Sequence, residues 1–404
     1  MQKRRLRFLF GGVLLLVFAV LVVGVWLIRS QMSKKTPVPA PQSHKNVSAS
    51  QVKAPVGRVR VVAMGDMLAH DSVVAQARTA TGYDFAPYFA HVRPLYKDAD
   101  VVFCNPETLS AGPAYGISGY PAFNAPTEFA RDLVQGAGCN VVNLATNHIN
   151  DKGQTALDPT VTVWEGLKPL AYSGANRSAV EQMQTRVFTR NGLKIGFVAF
   201  ADYSNNKAVS AYGLNSYHDA ALVKKLVGEA RAQADAVIVS AHWGTEDSTT
   251  VNADQQAAAQ LFADSGADVV IGTGPHVLQK VSSLTAADGR KTLVWYSIGN
   301  MLSSQLKVEE LTGVIAGFTM QKRAGGGGVD VTQPTAHATY MSYDWSPADR
   351  AAQTLATRSN LTLKPLTLDD PRPAQMFGAS YNGSERAQFV RTTLGNELPL
   401  KLLP

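Results

Sequence analysis

The chain has 404 residues, 45% hydrophobic and 17% charged, a globular composition that excludes a wholly disordered protein and supplies enough apolar side chains for a large core. The formal net charge is +7. Because residues 1–35 hold seven basic residues and no acidic one, the rest of the chain is close to neutral, which excludes a basic surface for nucleic acid on the body of the protein.

The N-terminal segment has the composition of a membrane anchor. Residues 8–28, FLFGGVLLLVFAVLVVGVWLI, are uncharged and long enough to cross a bilayer as a helix. A signal peptide is the alternative, but its apolar region is shorter and precedes a small-residue cleavage site, whereas this run ends near Trp26 and meets Arg29. We therefore expect an uncleaved single-pass helix in the cell membrane, with residues 1–7 as a basic cytoplasmic end and the body extracytoplasmic.

Three further regions are expected after the helix. Residues 29–57 are polar and contain four prolines, which predicts an extended linker. Residues 58–303 alternate β-branched runs with amphipathic stretches, which predicts a layered α/β sandwich domain. Residues 304–404 are expected to form a β-hairpin around VDVTQPTAHATYMSY and a tail, with a short helix at 385–393, packing on the same domain.

The predicted elements of the α/β domain follow in chain order. Strands are predicted in VRVVAMGD, DVVFCNPE, NVVNLATNH, TRVFTRNGLKIGFVAF as a pair, AVIVSAHWG, ADVVIGTGPH and TLVWYSIGN. Helices are predicted over residues 87–97, 127–135, 154–164, 219–234 and 254–265.

Cys104 and Cys139 are the only cysteines, too few for a disulfide framework in a chain of this length. Each lies at or near the end of an apolar run, where a small buried thiol is the expected role. A single bridge between them is the alternative.

Five predicted strands are apolar up to their carboxyl ends and then present a metal-binding or acid–base side chain. These side chains are Asp66, Glu107, Asn147 with His148, His242 and His276. In an open α/β sheet, catalytic groups gather beyond the carboxyl ends of the strands, so we expect these residues to meet at one site. Carboxylates supply charge and can bridge two ions, while imidazole nitrogens and an amide oxygen complete the coordination. The set predicts a site for one or two divalent metal ions.

His148 directly follows a candidate ligand, so it can face the site without binding metal, which suits a general acid that protonates a leaving group. Asp151, three residues later, is placed to hold the imidazole ring. Taken singly, each candidate has an ordinary alternative: a histidine at a strand end is more often a hydrogen-bonded structural residue, and Asp66 suits a turn. A structural α/β domain without a site is therefore one of the hypotheses.

The motifs resemble those of the CapA family of poly-γ-glutamate capsule proteins. The matching stretches, in order, are GDMLAH, NPET, NLATNHINDKG, SAHWGTE, VIGTGPHVLQ and YSIGNML. This resemblance, which extends from Arg58 to about Ser303, implies the fold of the calcineurin-like metallophosphoesterases and Mn, Fe or Zn as the metal.

Carried onto this sequence, the resemblance gives each candidate residue a role. One ion is expected at Asp66, Glu107 and His276, and a second at Glu107, Asn147 and His242. His148 becomes the acid, with Asp151 behind it. His70, four residues after Asp66, resembles a histidine found at that place in many relatives, which implies an additional site residue; a polar residue in the first turn of a helix is the alternative.

Three positions depart from the pattern: Gly274 stands where the family usually has a histidine, Thr146 replaces the first of two asparagines, and Leu68 replaces the histidine of the superfamily's Asp-x-His pair. The lost imidazoles predict a weakened second ion, so two functions stay open. One is a membrane-anchored, metal-dependent hydrolase or transferase acting on a phosphoester or on poly-γ-glutamate. The other is a non-catalytic component that binds this anionic polymer during capsule assembly, alongside other capsule-synthesis membrane proteins.

Overall fold

A computed structural model of the chain describes residues 57–325 and 327–396, together with the backbone of residues 401–403. The predictions for residues 1–56, which comprise the basic end, the membrane helix and most of the linker, lie outside these ranges. Among the helices of the described ranges, we find none with both the length and the hydropathy needed to cross a bilayer.

The strands of the described ranges form two sheets. Their bounds are β1 Arg58–Met67, β2 Val101–Pro106, β3 Val141–Asn143, β4 Ala171–Ser173, β5 Arg186–Arg190, β6 Leu193–Ala201, β7 Ala236–His242, β8 Val269–Thr273, β9 Val281–Thr285, β10 Lys291–Trp295, β11 Asn300–Leu302, β12 Thr312–Lys322, β13 Val329–Asp344, β14 Ser359–Pro365 and β15 Lys401–Leu403.

The larger sheet has the order β14-β13-β12-β1-β2-β3-β4, with β11 also pairing with β1 and β15 with β13. Strands β1 to β4 are parallel, and β12, β13 and β14 extend the sheet in antiparallel fashion. The smaller sheet has the order β5-β6-β7-β8-β10-β9, in which β6, β7, β8 and β10 are parallel and the edge strands antiparallel. Parallel strands place their carboxyl ends at one edge of each sheet.

Helices connect most of the parallel strands, and three further helices lie in the described part of the C-terminal region. Their bounds are α1 Asp71–Gln76, α2 Thr127–Asp132, α3 Gln154–Leu167, α4 Ala179–Gln182, α5 Ala220–Gln233, α6 Ala253–Ser265, α7 Pro347–Ala351, α8 Arg372–Phe377 and α9 Gly383–Leu394. Two of the longer ones start at side-chain caps: Asp219 accepts two backbone hydrogen bonds at the start of α5, and Asn252 and Gln255 form a capping box at α6.

The core lies between the sheets and beneath the helices. Phe103 on β2 meets Phe197 on β6 with ring centroids 6.1 Å apart, which joins the two sheets. On the outer face of the smaller sheet, Phe200 stacks on Phe262 of α6 at 5.4 Å. The prediction of a layered α/β sandwich is therefore confirmed.

The single helix predicted over residues 87–97 is wrong. Two short 3-10 turns, Ala86–Phe89 and Arg93–Tyr96, stand there, each with a proline in its first two positions. Pro94 has no amide hydrogen and disfavours the α conformation in the residue before it, so a continuous helix cannot pass through this point.

The expectation that Cys104 and Cys139 are free buried thiols is also wrong, because they form a disulfide bond. Cys104 lies on β2 and Cys139 lies just before the neighbouring strand β3, with their Cα atoms 5.7 Å apart. The pairing depends on β2 and β3 being adjacent, which apolar patterning along the chain does not reveal.

Removing this bridge is expected to destabilise the domain. The bridge closes a loop with a sequence separation of 35, and the loss of that constraint on the unfolded chain costs about 3 to 4 kcal/mol. Urea unfolding of the Cys104→Ala, Cys139→Ala double variant should show that decrease, and treating the unaltered protein with a reductant should reproduce most of it. Equal unfolding midpoints for the double variant and the oxidised protein would contradict this prediction.

Candidate metal centre

The polar residues at the strand ends meet between the two sheets. The larger sheet contributes Asp66 on β1, Glu107 directly after β2 and Asn147 after β3. The smaller sheet contributes His242 at the end of β7 and His276 after β8. All five side chains are buried. The acidic residues therefore come from one layer of the sandwich and the imidazoles from the other.

Local packing fixes the position of Asp66. A Cβ atom on Gly65 would lie 1.8 Å from the carbonyl oxygen of Gly299, so only glycine lets β1 pass that segment. The next residue, Asp66, then accepts hydrogen bonds at Oδ1 from Asn105 Nδ2 at 2.6 Å and at Oδ2 from the backbone N–H of Gly274 at 3.1 Å. The carboxylate is thereby held in one orientation.

Glu107 is fully buried, yet neither carboxylate oxygen has a hydrogen-bond partner among the described residues. Oε1 lies 3.5 Å from His242 Nε2, and Oε2 lies 3.8 Å from His276 Nδ1. Buried acceptors without partners are costly, so native structures satisfy them with water or an ion. A cation among these atoms would satisfy both oxygens at once.

The ligand-type atoms form two groups, one on each oxygen of Glu107. On the Oε1 side, His242 Nε2 lies 3.0 Å from Asn147 Oδ1. On the Oε2 side, His276 Nδ1 lies 3.2 Å from Asp66 Oδ2. These are the two ligand sets that the resemblance implies. Asp66, Glu107 and His242 each offer an atom within 4.8 Å of the others, close enough to share an ion.

His276 has a second oxygen beside it, from a residue that was not predicted. Asn300 Oδ1, at the start of β11, lies 3.0 Å from His276 Nδ1. The backbone of His276 is in the left-handed region, with φ 62°, which is uncommon for a residue other than glycine and occurs often at functional sites. Asn300 belongs to the YSIGNML motif, which was the available signal.

Gly274 cannot be replaced by a ligand in this backbone. Its φ is 107°, and a Cβ atom there would lie 2.8 Å from the carbonyl oxygen of Trp243 and 3.3 Å from His242 Nε2. Its N–H also holds Asp66. Gly274 thus helps to orient the Asp66 carboxylate. The histidine that the family usually has at this position would not fit here.

The carboxylates and imidazoles of the cluster shift one another's pKa values. Burial opposes ionisation of Glu107, but the imidazoles of His276 and His242 outweigh burial and lower the pKa of this carboxyl to about 2. Burial likewise disfavours the charged form of His276, but Glu107 and Asp66 raise its pKa to about 10. The pKa of His242 is raised as well, because Glu107 and Asp66 outweigh its burial. Without an ion, the cluster therefore binds protons.

Metal binding is consequently expected to release protons. An imidazole must be neutral to ligate, so below a pH of about 10 an ion must displace the proton of His276. Affinity should rise about tenfold per pH unit for each displaced proton between about pH 6 and about pH 9. Calorimetric titration of chelator-treated protein with Mn²⁺ or Zn²⁺, in two buffers of different ionisation enthalpy, counts the protons. A pH-independent affinity would contradict the prediction.

His148 directly follows the candidate ligand Asn147 in the chain and is buried. Its Nδ1 is 2.6 Å from Asp151 Oδ2, and the same oxygen accepts the backbone N–H of Phe123 at 2.7 Å. The Phe123 ring meets the imidazole edge to face, with centroids 4.7 Å apart. Asn205, which was not predicted, places its Nδ2 3.3 Å from His148 Nδ1 and 3.4 Å from Nε2. The ring is therefore fixed by Asp151 and Phe123.

His70 lies on the wall of the site, directly before α1. Its ring packs edge to face on Phe123 at 5.3 Å, and its Nδ1 is 3.4 Å from the backbone nitrogen of Ser304. Burial, and then the charge of Arg358, lower the pKa of His70 to about 3. A neutral imidazole on this wall therefore faces the candidate acid across the Phe123 ring.

Two asparagines behind the ligands were not predicted. Asn105 bridges Asp66 and Asn143, accepting from Asn143 Nδ2 at 2.6 Å. Asn143 also caps the end of β3, where its Oδ1 accepts the N–H of Ala145 at 2.7 Å. Both sit inside apolar runs, in FCNPE and VVNLATNH, and a buried amide in such a run was the signal that could have found them.

The fold and the site define a class: a mixed α/β sandwich with a buried group of carboxylate, amide and imidazole ligands suited to a divalent metal. The family model described as "Bacterial capsule synthesis protein PGA_cap" matches residues 60–305, and the chain belongs to this family.

Two curated relatives are similar over most of the chain. "Capsule biosynthesis protein CapA" of Bacillus anthracis is 26% identical over 302 residues, which cover 72% of this chain and 68% of that protein. "PGA biosynthesis protein CapA" of Bacillus subtilis (strain 168) is 25% identical over 255 residues, which cover 62% of this chain and 65% of that protein. The resemblance to the CapA family is thereby confirmed.

Solved structures show distant similarity. The protein TT1561 of Thermus thermophilus superposes with a TM-score of 0.35 at 11% identity, covering 64% of this chain and 93% of that one. The 5'-nucleotidase from Candida albicans superposes with a TM-score of 0.36 at 10% identity, covering 70% of this chain and 51% of that one.

Proposed function

We propose that this chain is a metal-dependent hydrolase or transferase of capsule synthesis, with a calcineurin-like metallophosphoesterase type of fold, acting on a phosphoester or on the γ-linked glutamate polymer. The observation that carries the proposal is Glu107, whose two buried carboxylate oxygens have no hydrogen-bond partner in the described chain and face ligand-type atoms on both sides. A divalent ion is the group that satisfies both oxygens.

The residues that would hold the ion are Asp66, Glu107, Asn147, His242 and His276, with Asn300 beside them. A bound divalent ion polarises a phosphoryl or carbonyl oxygen and makes hydroxide available near neutral pH. Asn105 and the N–H of Gly274 keep the Asp66 carboxylate in position for this role. The buried setting excludes bulk water and strengthens each electrostatic contact.

His148 is the proposed general acid. Its Nδ1 faces Asp151, so the proton for a leaving group is carried on Nε2. Asp151 sets the tautomer and orientation of the ring, and Phe123 restricts its rotation.

We also propose that residues 8–28 anchor the chain in the cell membrane, with the N-terminus cytoplasmic and the body extracytoplasmic, near other capsule-synthesis membrane proteins. The uncharged run and its basic flanks support this location. The disulfide supports it independently, because disulfides persist in oxidising compartments.

The test is elemental analysis of the full-length chain, purified in mild detergent, joined to a screen of phosphomonoester, phosphodiester and poly-γ-glutamate substrates. We expect near-stoichiometric Mn, Fe or Zn, and turnover that chelation abolishes and metal restores. Protein that holds no metal and gains no activity from any of the three ions would refute the proposal.

A non-catalytic polymer-binding role is the second candidate, and Gly274 favours it. Because no imidazole fits at this position, the site has fewer nitrogen ligands than the family pattern provides. A binding protein needs only a cation facing carboxylates, whereas a catalyst also needs the proton of His148. Polymer binding that depends on metal, without turnover of any substrate in the screen, would establish this second role.

A further inference from the structure

Arg358, between the 3-10 turn Leu355–Thr357 and β14, is a buried cation that the proposed function does not use. Only 6% of its surface is exposed. Among the described residues it forms no ion pair with a carboxylate, and its only hydrogen bond runs from Nε to the carbonyl oxygen of Leu355 at 2.7 Å. Holding a largely buried guanidinium without a paired anion is costly, so a bound anion would stabilise it.

The side chain is held by aromatic rings. The guanidinium carbon lies 5.5 Å from the ring centre of Tyr343 and 5.9 Å from that of Trp345. These contacts support the cation but leave the donors of Nη1 and Nη2 unused, and neither nitrogen is sealed from solvent. Nη1 and Nη2 can therefore donate two parallel hydrogen bonds to an acceptor that comes from solution.

Arg358 lies near His70, on one side of the metal centre. The turn before it packs on α1, which follows His70. Tyr343, on which it stacks, donates its hydroxyl to the carbonyl oxygen of Gln305 at 2.8 Å, next to Ser304, whose backbone nitrogen contacts His70. The charge of Arg358 accordingly contributes to the lowered pKa of His70.

The nearby acids are already engaged. Asp71 and Glu310 are the carboxylates whose charge acts on Arg358. Asp71 Oδ1 accepts the backbone N–H of Gly119 at 2.9 Å, and Glu310 Oε2 accepts the N–H groups of Leu306 and Lys307 at 2.9 and 2.6 Å. Neither is positioned to neutralise the guanidinium directly.

We propose that Arg358 binds an oxyanion of the substrate, a carboxylate or a phosphate, on the His70 side of the metal centre through its Nη1 and Nη2 donors. The location of this subsite rests on the proposed function, but the chemistry of the contact does not. The planar fork of Arg358 matches either oxyanion with two parallel hydrogen bonds. The subsite would select a charged group next to the bond that reacts.

The test is binding of a fluorescein-labelled γ-linked glutamate decamer to the full-length chain, with inorganic phosphate as a competitor. Arg358→Met keeps the packing stem and removes the charge, and it should raise the Kd of the decamer about tenfold or more. Arg350→Met is the matched control, because Arg350 is exposed and lies over the same Trp345 ring, and it should change the Kd less than about twofold.

The two ligands identify the oxyanion. A weaker decamer Kd with an unchanged phosphate inhibition constant supports a carboxylate, and a weakened phosphate constant supports a phosphate. Unchanged constants for both ligands in folded Arg358→Met protein overturn the proposal. If that variant does not fold, Arg358→Lys decides: a point charge without the fork should weaken binding severalfold, and unchanged binding overturns the proposal.

Metal content, measured in the same samples, separates this proposal from the proposed function. Arg358→Met should retain the metal of the unaltered protein, and a parallel loss of metal would overturn a direct role in ligand binding. If every sample lacks metal while Arg358→Met still weakens decamer binding, the hydrolase fails and the oxyanion subsite stands.

Discussion

Replacing Glu107 by glutamine is expected to remove the metal. The substitution keeps the shape of the side chain but replaces an anion that lies between His242 and His276 with a neutral amide. Changing residues that merely support metal ligands already costs 10 to 100-fold in affinity, so losing a charged ligand shared by both groups should cost at least about a hundredfold. Elemental analysis after dialysis should show occupancy near zero, with activity lost in parallel.

Glu246→Gln provides the matched control. Glu246 lines the mouth of the same site together with His242 and Asn147, but its side chain is exposed. The charge change is identical, so a general electrostatic effect would lower occupancy in both variants, whereas a ligand role lowers it only at Glu107. Full occupancy in Glu107→Gln would show that this carboxylate does not bind the ion.

Replacing His148 by asparagine is expected to abolish turnover while the metal stays bound. General acids contribute about a hundredfold to ten-thousandfold to rate, and the His148 imidazole is paired with Asp151 and is not one of the candidate metal ligands. The loss in kcat should shrink for a substrate with an activated leaving group such as p-nitrophenolate, because such a group departs without protonation. Paired rate measurements on alkyl and p-nitrophenyl esters test this.

His91→Asn is the control for that experiment, since His91 is exposed and lines a separate cavity beside α1. It should leave both rates unchanged. Loss of metal from His148→Asn, or equal rate losses for the two leaving groups, would show that His148 is not the general acid. It would instead support the structure of the metal centre.

Much of the fold and the list of candidate residues followed from local patterns. Strands that are apolar until a final Asp, Glu or His carry two signals at once, the strand and the chemistry at its end, and β1, β7 and β8 were predicted on that basis. Helices α5 and α6 have clear apolar periodicity and start at capping residues, so their predicted bounds differ from the observed ones by a residue or so.

What could not be predicted depends on contacts between distant parts of the chain. The Cys104–Cys139 bridge requires β2 and β3 to be neighbours, and Asn300 reaches His276 only because β11 pairs with β1. Gly274 looked like a lost ligand, yet its amide holds Asp66 across the interface between the sheets. The sequence around Arg358 does not indicate a binding role, because that inference depends on the burial of its guanidinium without a paired anion.

The candidate metal ligands come from both sheets, so metal binding should affect the stability of the protein in the cell. An ion coordinated by residues of both sheets would link the two layers, because separating the layers would remove its ligands. Its binding free energy therefore adds to the cohesion of the native state, by an amount that grows with the free metal concentration. If the proposed ion is bound, metal depletion should therefore make the native protein more susceptible to proteolysis.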